Sequence, residues 1–163
     1  MPLIKNGERV REDAWSFIED DAPLGDGQVS VTLARFKAER DSLLGRNAPL
    51  GVRLSPEDDP HDLADDLDRL SLIEVSFPKY VDGRGYSQAQ LLRRRLGYEG
   101  ELRAVGDVLR DQALLMVRSG FDALMLTNTD QQGFEAALAE YQNVYQSDAR
   151  GAVSVFEQRH EST

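Results

Sequence analysis

Leu72-Ile73-Glu74-Val75-Ser76-Phe77 is a short apolar run of β-favouring residues. It leads directly into Pro78-Lys79-Tyr80-Val81-Asp82-Gly83-Arg84-Gly85-Tyr86-Ser87. A helical pattern follows: Ser87 with Gln90 spells a capping box, Leu91, Leu92 and Leu96 form an apolar side, and Gly97 supplies a stop. The stretch therefore reads as one strand–loop–helix unit. Similar apolar runs occur at Val29 to Leu33, Leu50 to Leu54, Glu101 to Val105 and Asp122 to Leu126, with helical patterns between them. This alternation predicts an α/β domain with a mainly parallel sheet of about five strands and flanking helices. An open, doubly wound sheet fits the pattern first, and a partial β/α barrel second. In either case the loops leaving the carboxyl ends of the strands fall on one rim, where such folds bind ligands.

Outside this unit the boundaries are read in the same way. Asp59 before Pro60 is an N-cap with proline at the first helical position, and Leu63, Leu67 and Leu70 recur on one face. Asp107 can cap a helix that buries Val108, Leu115 and Met116 and stops at Gly120. Asp130 opens a last helix with Phe134, Ala137, Leu138, Tyr141 and Tyr145 at helical spacing. Residues 1–28 read as an N-terminal extension whose Trp15, Phe17 and Ile18 cover a core edge. Residues 29–146 read as the α/β core and 147–163 as an extended C-terminal tail that frays beyond Arg159, all within a single domain 1–163.

Composition narrows the chemistry. The 163 residues hold 29 acidic and 19 basic side chains, a net charge of −10, with two histidines and no cysteine. Absent thiols exclude disulfides, thiolate nucleophiles and cysteine-ligated zinc, iron–sulfur or haem centres. His61 and His160 stand 99 positions apart, which argues against a histidine metal site or triad. No metal site is expected, and no cofactor is assigned. No run approaches the roughly 18 to 20 apolar residues of a membrane span, and the start lacks a secretory segment, so a cytoplasmic protein is expected. The acidity also predicts no general binding to nucleic acid or to anionic membranes.

Charge is nevertheless segregated. Residues 77–118 carry eight basic and five acidic side chains, a balance of +3, which leaves −13 for the remainder. Pro56 to Leu70 carries seven acids and reads as a solvated helix face, because it lacks the spacing of a calcium loop. The rim residues expected from the strands are Ser55, the Pro78–Tyr86 loop, Gly106 and Asp107, and Thr127 and Asn128. Within the loop, Gly83 and Gly85 permit close approach, Ser87 starts a helix, and Lys79 and Arg84 supply positive charge. With Asp82, Tyr86, Arg93 and Arg103 they form the predicted ligand site, suited to an anion. The competing reading is a braced turn in which Asp82 occupies Arg84 or Arg103 and nothing binds. Asp107 and Glu101 are the candidate acid–base residues, although Asp107 equally suits a cap. Tyr80 and Tyr86 can donate to an oxyanion or complete packing. Neither a phosphate-binding Gly-Lys-Ser/Thr loop nor a three-glycine dinucleotide pattern is present.

The ordered motifs Phe77-Pro78-Lys79-Tyr80-Val81-Asp82-Gly83-Arg84-Gly85-Tyr86-Ser87, Leu96-Gly97-Tyr98, Gly100-Glu101-Leu102-Arg103-Ala104-Val105-Gly106-Asp107 and Gly120-Phe121-Asp122 closely resemble the bacterial domain of unknown function family 934. The resemblance implies an association with assimilatory sulfite reduction, where members are often labelled probable oxidoreductases without agreed catalytic residues or cofactor. The missing cysteines weigh against an electron-transferring catalyst. Three functions follow as expectations. The first is an accessory factor that binds an anionic small molecule or sulfite reductase through the Arg/Gly-rich loop. The second is a ligand-free interaction module, including a homodimer, and the third is an enzyme of sulfur metabolism using the same rim.

Overall fold

The computed structural model describes residues 2–127 and 130–149, with the backbone alone for 144–149. The chain opens with a hairpin of β1 (Leu3–Lys5) and β2 (Glu8–Val10), followed by a third short strand, β3 (Trp15–Phe17). Then come β4 (Gln28–Thr32), α1 (Leu33–Ala38), α2 (Arg40–Leu44), β5 (Leu50–Leu54) and β6 (Leu72–Phe77). The second half contains α3 (Arg84–Gln90), β7 (Glu101–Gly106), α4 (Ala113–Ser119), β8 (Ala123–Met125) and α5 (Gln131–Ala149). A π-helical turn, Leu91–Arg95, extends α3. No helix among the described residues is long and apolar enough to cross a membrane.

All five expected strands are present, but the sheet has eight, because residues 1–28 contribute three more. Each of these has only three residues, too few to display a two-residue periodicity. The hairpin did have a local signature. Register Lys5↔Glu8 leaves Asn6-Gly7 as a two-residue turn, with φ of 51° and 80°. Both central residues of such a turn need positive φ, which Asn-Gly tolerates.

The strand order is β2-β1-β8-β7-β6-β5-β4-β3, with β3 through β8 parallel and β1 antiparallel to both neighbours. From β3 to β8 each connection steps to the adjacent strand in one direction, without the reversal that a doubly wound sheet requires. Right-handed crossovers therefore lie on one face, and the second expected architecture, a partial β/α barrel, describes the fold.

Curling follows from chain length. Eight strands laid flat would separate the edges by about 34 Å, at about 4.8 Å per gap. Only Arg11–Ala14 link β2 at one edge to β3 at the other. Five residue steps reach at most about 17 to 19 Å. The edges must bend toward each other, which makes a half-barrel.

The two faces of this sheet differ in chemistry. Toward the helices, Val29, Val31, Val52, Leu54, Ile73, Val75, Leu102, Ala104 and Leu124 join Phe36, Leu43, Leu92 and Met116 in one buried cluster. The alternate residues face the concave side, and there Arg53, Glu74, Arg103 and Lys5 lie along one cross-strand row. Arg103 is only 2% exposed. It donates to Glu101 at 2.7 and 2.9 Å and to Asp13 at 2.8 Å, while Lys5 meets the other Glu101 oxygen at 2.7 Å. Buried Glu74 accepts from Ser30 at 2.8 Å and from Arg53 at 2.9 Å. Asp13 belongs to the β2–β3 link, so this link is tied to the middle of the sheet through Arg103.

Several helical expectations change. The acidic stretch forms two 3₁₀ turns, Pro60–Leu63 and Leu67–Arg69, rather than one helix. Leu63 and Leu70 are still buried, and Asp59 still caps by accepting from the His61 N–H at 2.9 Å. Its acids are not all solvated: Asp66 is buried and accepts from Arg40 Nε at 2.9 Å. Asp130 caps α5 as expected, through Gly133 N–H at 2.7 Å, and Phe134, Ala137 and Tyr141 are buried. The Tyr145 side chain, Asn128 and the tail beyond Ala149 lie outside the described residues.

Removing Arg103 leaves two carboxylates facing one lysine. Arg103→Ala is expected to lower the unfolding free energy by about 3 kcal/mol or more, measured by urea titration. The Arg40 hydrogen bonds hold the Asp66 carboxyl below the usual carboxylate range against the opposing effect of burial. A depressed folded-state value stabilises the fold above the unfolded value of about 3.9 and is lost as pH falls through the folded one. The melting-temperature gap between wild type and Asp66→Asn should therefore close as the pH drops below about 4.

Candidate functional site

The rim loop begins where β6 ends. Tyr80 donates its N–H to Asp107 Oδ2 at 3.1 Å, and its carbonyl accepts from Gln112 Nε2 at 2.7 Å. The Asp82 N–H closes a turn onto the Lys79 carbonyl at 3.0 Å. Asp82 in turn accepts from the Arg84 backbone at 3.1 Å and from its guanidinium at 2.7 Å. These side-chain and backbone bonds from Arg84 hold the Asp82 carboxyl down at about 2, so it is ionised at any physiological pH. Arg84 also reaches Glu57 at 3.6 Å. The turn is braced on both sides and stays largely exposed.

The nine expected binding residues separate into three places. Lys79, Asp82, Gly83, Arg84, Gly85, Tyr86 and Ser87 stay together at the rim. Arg93 lies at the opposite end, where it donates to the carbonyls of Gly120, Tyr98 and Gly100 at 2.8 to 2.9 Å and faces Asp122 at 3.3 Å. Arg103 is inside the concave face. Strand polarity explains the scatter, since Arg93 follows α3 back to the amino ends of β7 and β8, whereas Arg103 is mid-strand.

The loop residues also have different roles from those their types suggest. Gly83 has a φ of −81° and open space around it, so neither conformation nor contact demands glycine. A Cβ on Gly85 would lie 2.5 Å from the Phe77 ring, so this glycine lets α3 sit on β6. Ser87 lies within α3, which starts at Arg84, and caps nothing. The Tyr86 ring packs on Phe77 at 5.3 Å, and burial pushes its hydroxyl pKa up. Glu101 is consumed by Lys5 and Arg103. Asp107 does not cap α4, whose N-cap is Gln112, but clamps the Tyr80 backbone.

The apolar character of this rim is not apparent from its residue types alone. Among the described residues the exposed large hydrophobic side chains are Tyr80 (51%), Val81 (71%), Leu114 (37%) and Leu115 (54%). All four lie on the loop or on the first turn of α4, and the Gln112–Tyr80 bond joins the two. Leu115, expected inside, points out. The run Ala113-Leu114-Leu115-Met116-Val117 contained the warning, because five consecutive apolar residues cannot all face one side of a helix.

Together these features define a curled α/β half-barrel with a braced, apolar-tipped loop on its carboxyl-end rim. The chain belongs to DUF934, a bacterial protein family of unknown function, whose profile matches residues 51–156. That match runs from β5 through the loop and α4 and leaves β1–β4 outside it. No curated protein matches the chain.

The glycines give a direct check of the loop's construction. Gly85→Ala should destabilise the protein by about 1 to 3 kcal/mol through overpacking against Phe77, while Gly83→Ala stays within about 0.5 kcal/mol of wild type, both read from urea denaturation.

Proposed function

We propose that this protein is a non-redox accessory factor that docks on a larger protein through the Lys79–Asp82 turn and the exposed first turn of α4. The observation that carries this reading is the gathering, on that one part of the rim, of all four large hydrophobic side chains that are exposed among the described residues. Interface centres favour an aromatic residue on a rigid support, and the Tyr80 backbone is held at both its N–H and its carbonyl. Of the basic side chains in residues 77–118, Lys79 and Arg84 stand beside this face, Arg84 paired with Asp82. The matching partner surface has an apolar centre. Sulfite reductase is the partner that the family resemblance suggests.

Turnover at this rim is less well supported. Glu101 and Asp107, the acid–base candidates, are both engaged, one in ion pairs and the other in holding the backbone. A proton carrier there would first have to break structural bonds.

Titration calorimetry with purified sulfite reductase tests the proposal. Tyr80→Ala is expected to raise Kd at least about tenfold, as for a central interface aromatic. Arg84→Ala should raise it about threefold, with the effect fading at high salt. Wild-type affinity in Tyr80→Ala and Leu115→Asp would remove the rim as the docking face. A homodimer in light scattering that Tyr80→Ala dissolves would assign the face to self-association instead.

A further inference from the structure

A second feature of the same end of the half-barrel is independent of the docking face. Beyond the carboxyl ends of β3 to β6 lies a recess of about 270 Å³, whose polar lining residues are Asp20, Thr32, Arg53, Ser55, Asp58 and Ser76 and whose wall is completed by Leu33 and Ala34. Thr32 and Arg53 are register partners, Arg53 and Ser55 share a strand face, and Ser76 follows Glu74 on that face. These groups therefore rise from the concave side of the sheet toward the end where β/α barrels bind ligands.

Arg53 is the organising group. Its guanidinium stacks on the Phe17 ring at 3.7 Å, and its Nε donates to buried Glu74, which Ser30 also fixes. The two terminal nitrogens have no hydrogen-bond partner among the described residues. An arginine held by an aromatic face and a buried carboxylate, with both terminal nitrogens open, is preorganised to grip a carboxylate with two parallel bonds.

The rest of the recess identifies what that carboxylate must be attached to. Asp20 accepts from the Thr32 hydroxyl at 2.6 Å, and Asp58 accepts from the Ser55 N–H at 2.8 Å. In each case one carboxylate oxygen makes the bond and the other is left over. Gln88 fixes this wall by donating to the carbonyls of Ser55 and Asp58 at 2.8 and 2.9 Å. A bare divalent anion would meet one guanidinium against three carboxylates, counting Glu74. A ligand with a positive group beside its carboxylate satisfies both signs. The volume lies just below the range of drug-sized pockets, so it suits a molecule much smaller than a nucleotide.

We propose that this recess binds a free α-amino acid, its carboxylate on the terminal nitrogens of Arg53 and its ammonium group on Asp20 and Asp58. The hydroxyls of Ser55 and Ser76 then serve the ligand's side chain or its second carboxylate oxygen.

The test is a thermal-shift and calorimetric screen of the full chain against the twenty protein amino acids, with acetate, ethanolamine and sulfate as single-charge controls. At ten times its Kd an amino acid should raise Tm by about 4 °C, and the controls should not. Asp20→Asn, at an exposed position, should weaken binding about fivefold or more without lowering the Tm of the free protein. Arg53→Lys, which keeps the charge but loses the fork, should weaken it at least tenfold. Tyr80→Ala should leave it unchanged. No response to any amino acid, a response to sulfate or ethanolamine alone, or wild-type affinity in Asp20→Asn would overturn the proposal.

Discussion

The row of charges on the concave face, with Glu74 and Arg103 buried within it, constrains everything else in this structure. Arg53, Glu74, Arg103 and Lys5 occupy equivalent positions on β5, β6, β7 and β1, so they lie across the sheet in one row. A slip of one residue in any strand would turn its charged member into the apolar layer under the helices. Burying an unpaired carboxylate or guanidinium there would cost several kcal/mol. The row therefore penalises wrong registers more strongly than the near-uniform Leu, Val and Ile content of these strands could do.

The same row explains why the short N-terminal strands matter. Arg103 is satisfied by Glu101 from its own strand and by Asp13 from the β2–β3 link, and Glu101 is shared with Lys5 of β1. Four groups, Lys5 and Asp13 from the first 13 residues and Glu101 and Arg103 from β7, thus hold the curl. Helix α5 supports the arrangement from outside, because Tyr141 donates to the Asp122 carbonyl at 2.9 Å and Gln142 to the Gly7 carbonyl at 2.8 Å. Curvature in turn brings Phe17 of the last strand over Arg53, which orients the guanidinium at the carboxyl end.

The rim combines two surfaces with opposite physical character. The loop after β6 is apolar at its tip and exposed, with Asp82 and Arg84 already paired to each other. The recess beyond β3 to β6 combines Leu33 and Ala34 with polar side chains, of which Arg53, Asp20 and Asp58 retain unused donors or acceptors.

Local patterns determined much of this protein. The positions of β4 to β8, the caps at Asp59 and Asp130, and the glycine stops at Gly97 and Gly120, with φ of 70° and 114°, all follow from interactions within a few residues. The absence of cysteine chemistry is likewise a property of the chain alone. Tertiary structure decided where charges separated in sequence come to rest. Arg84, Arg93 and Arg103 look equivalent in a basic segment, yet strand polarity and side-chain alternation send one to the rim, one to the opposite end and one to the interior. Whether Gly85 served a ligand or the Phe77 ring, and whether Leu115 faced in or out, depended on which surface packed against it. Those are contacts between distant segments, and no local pattern encodes them.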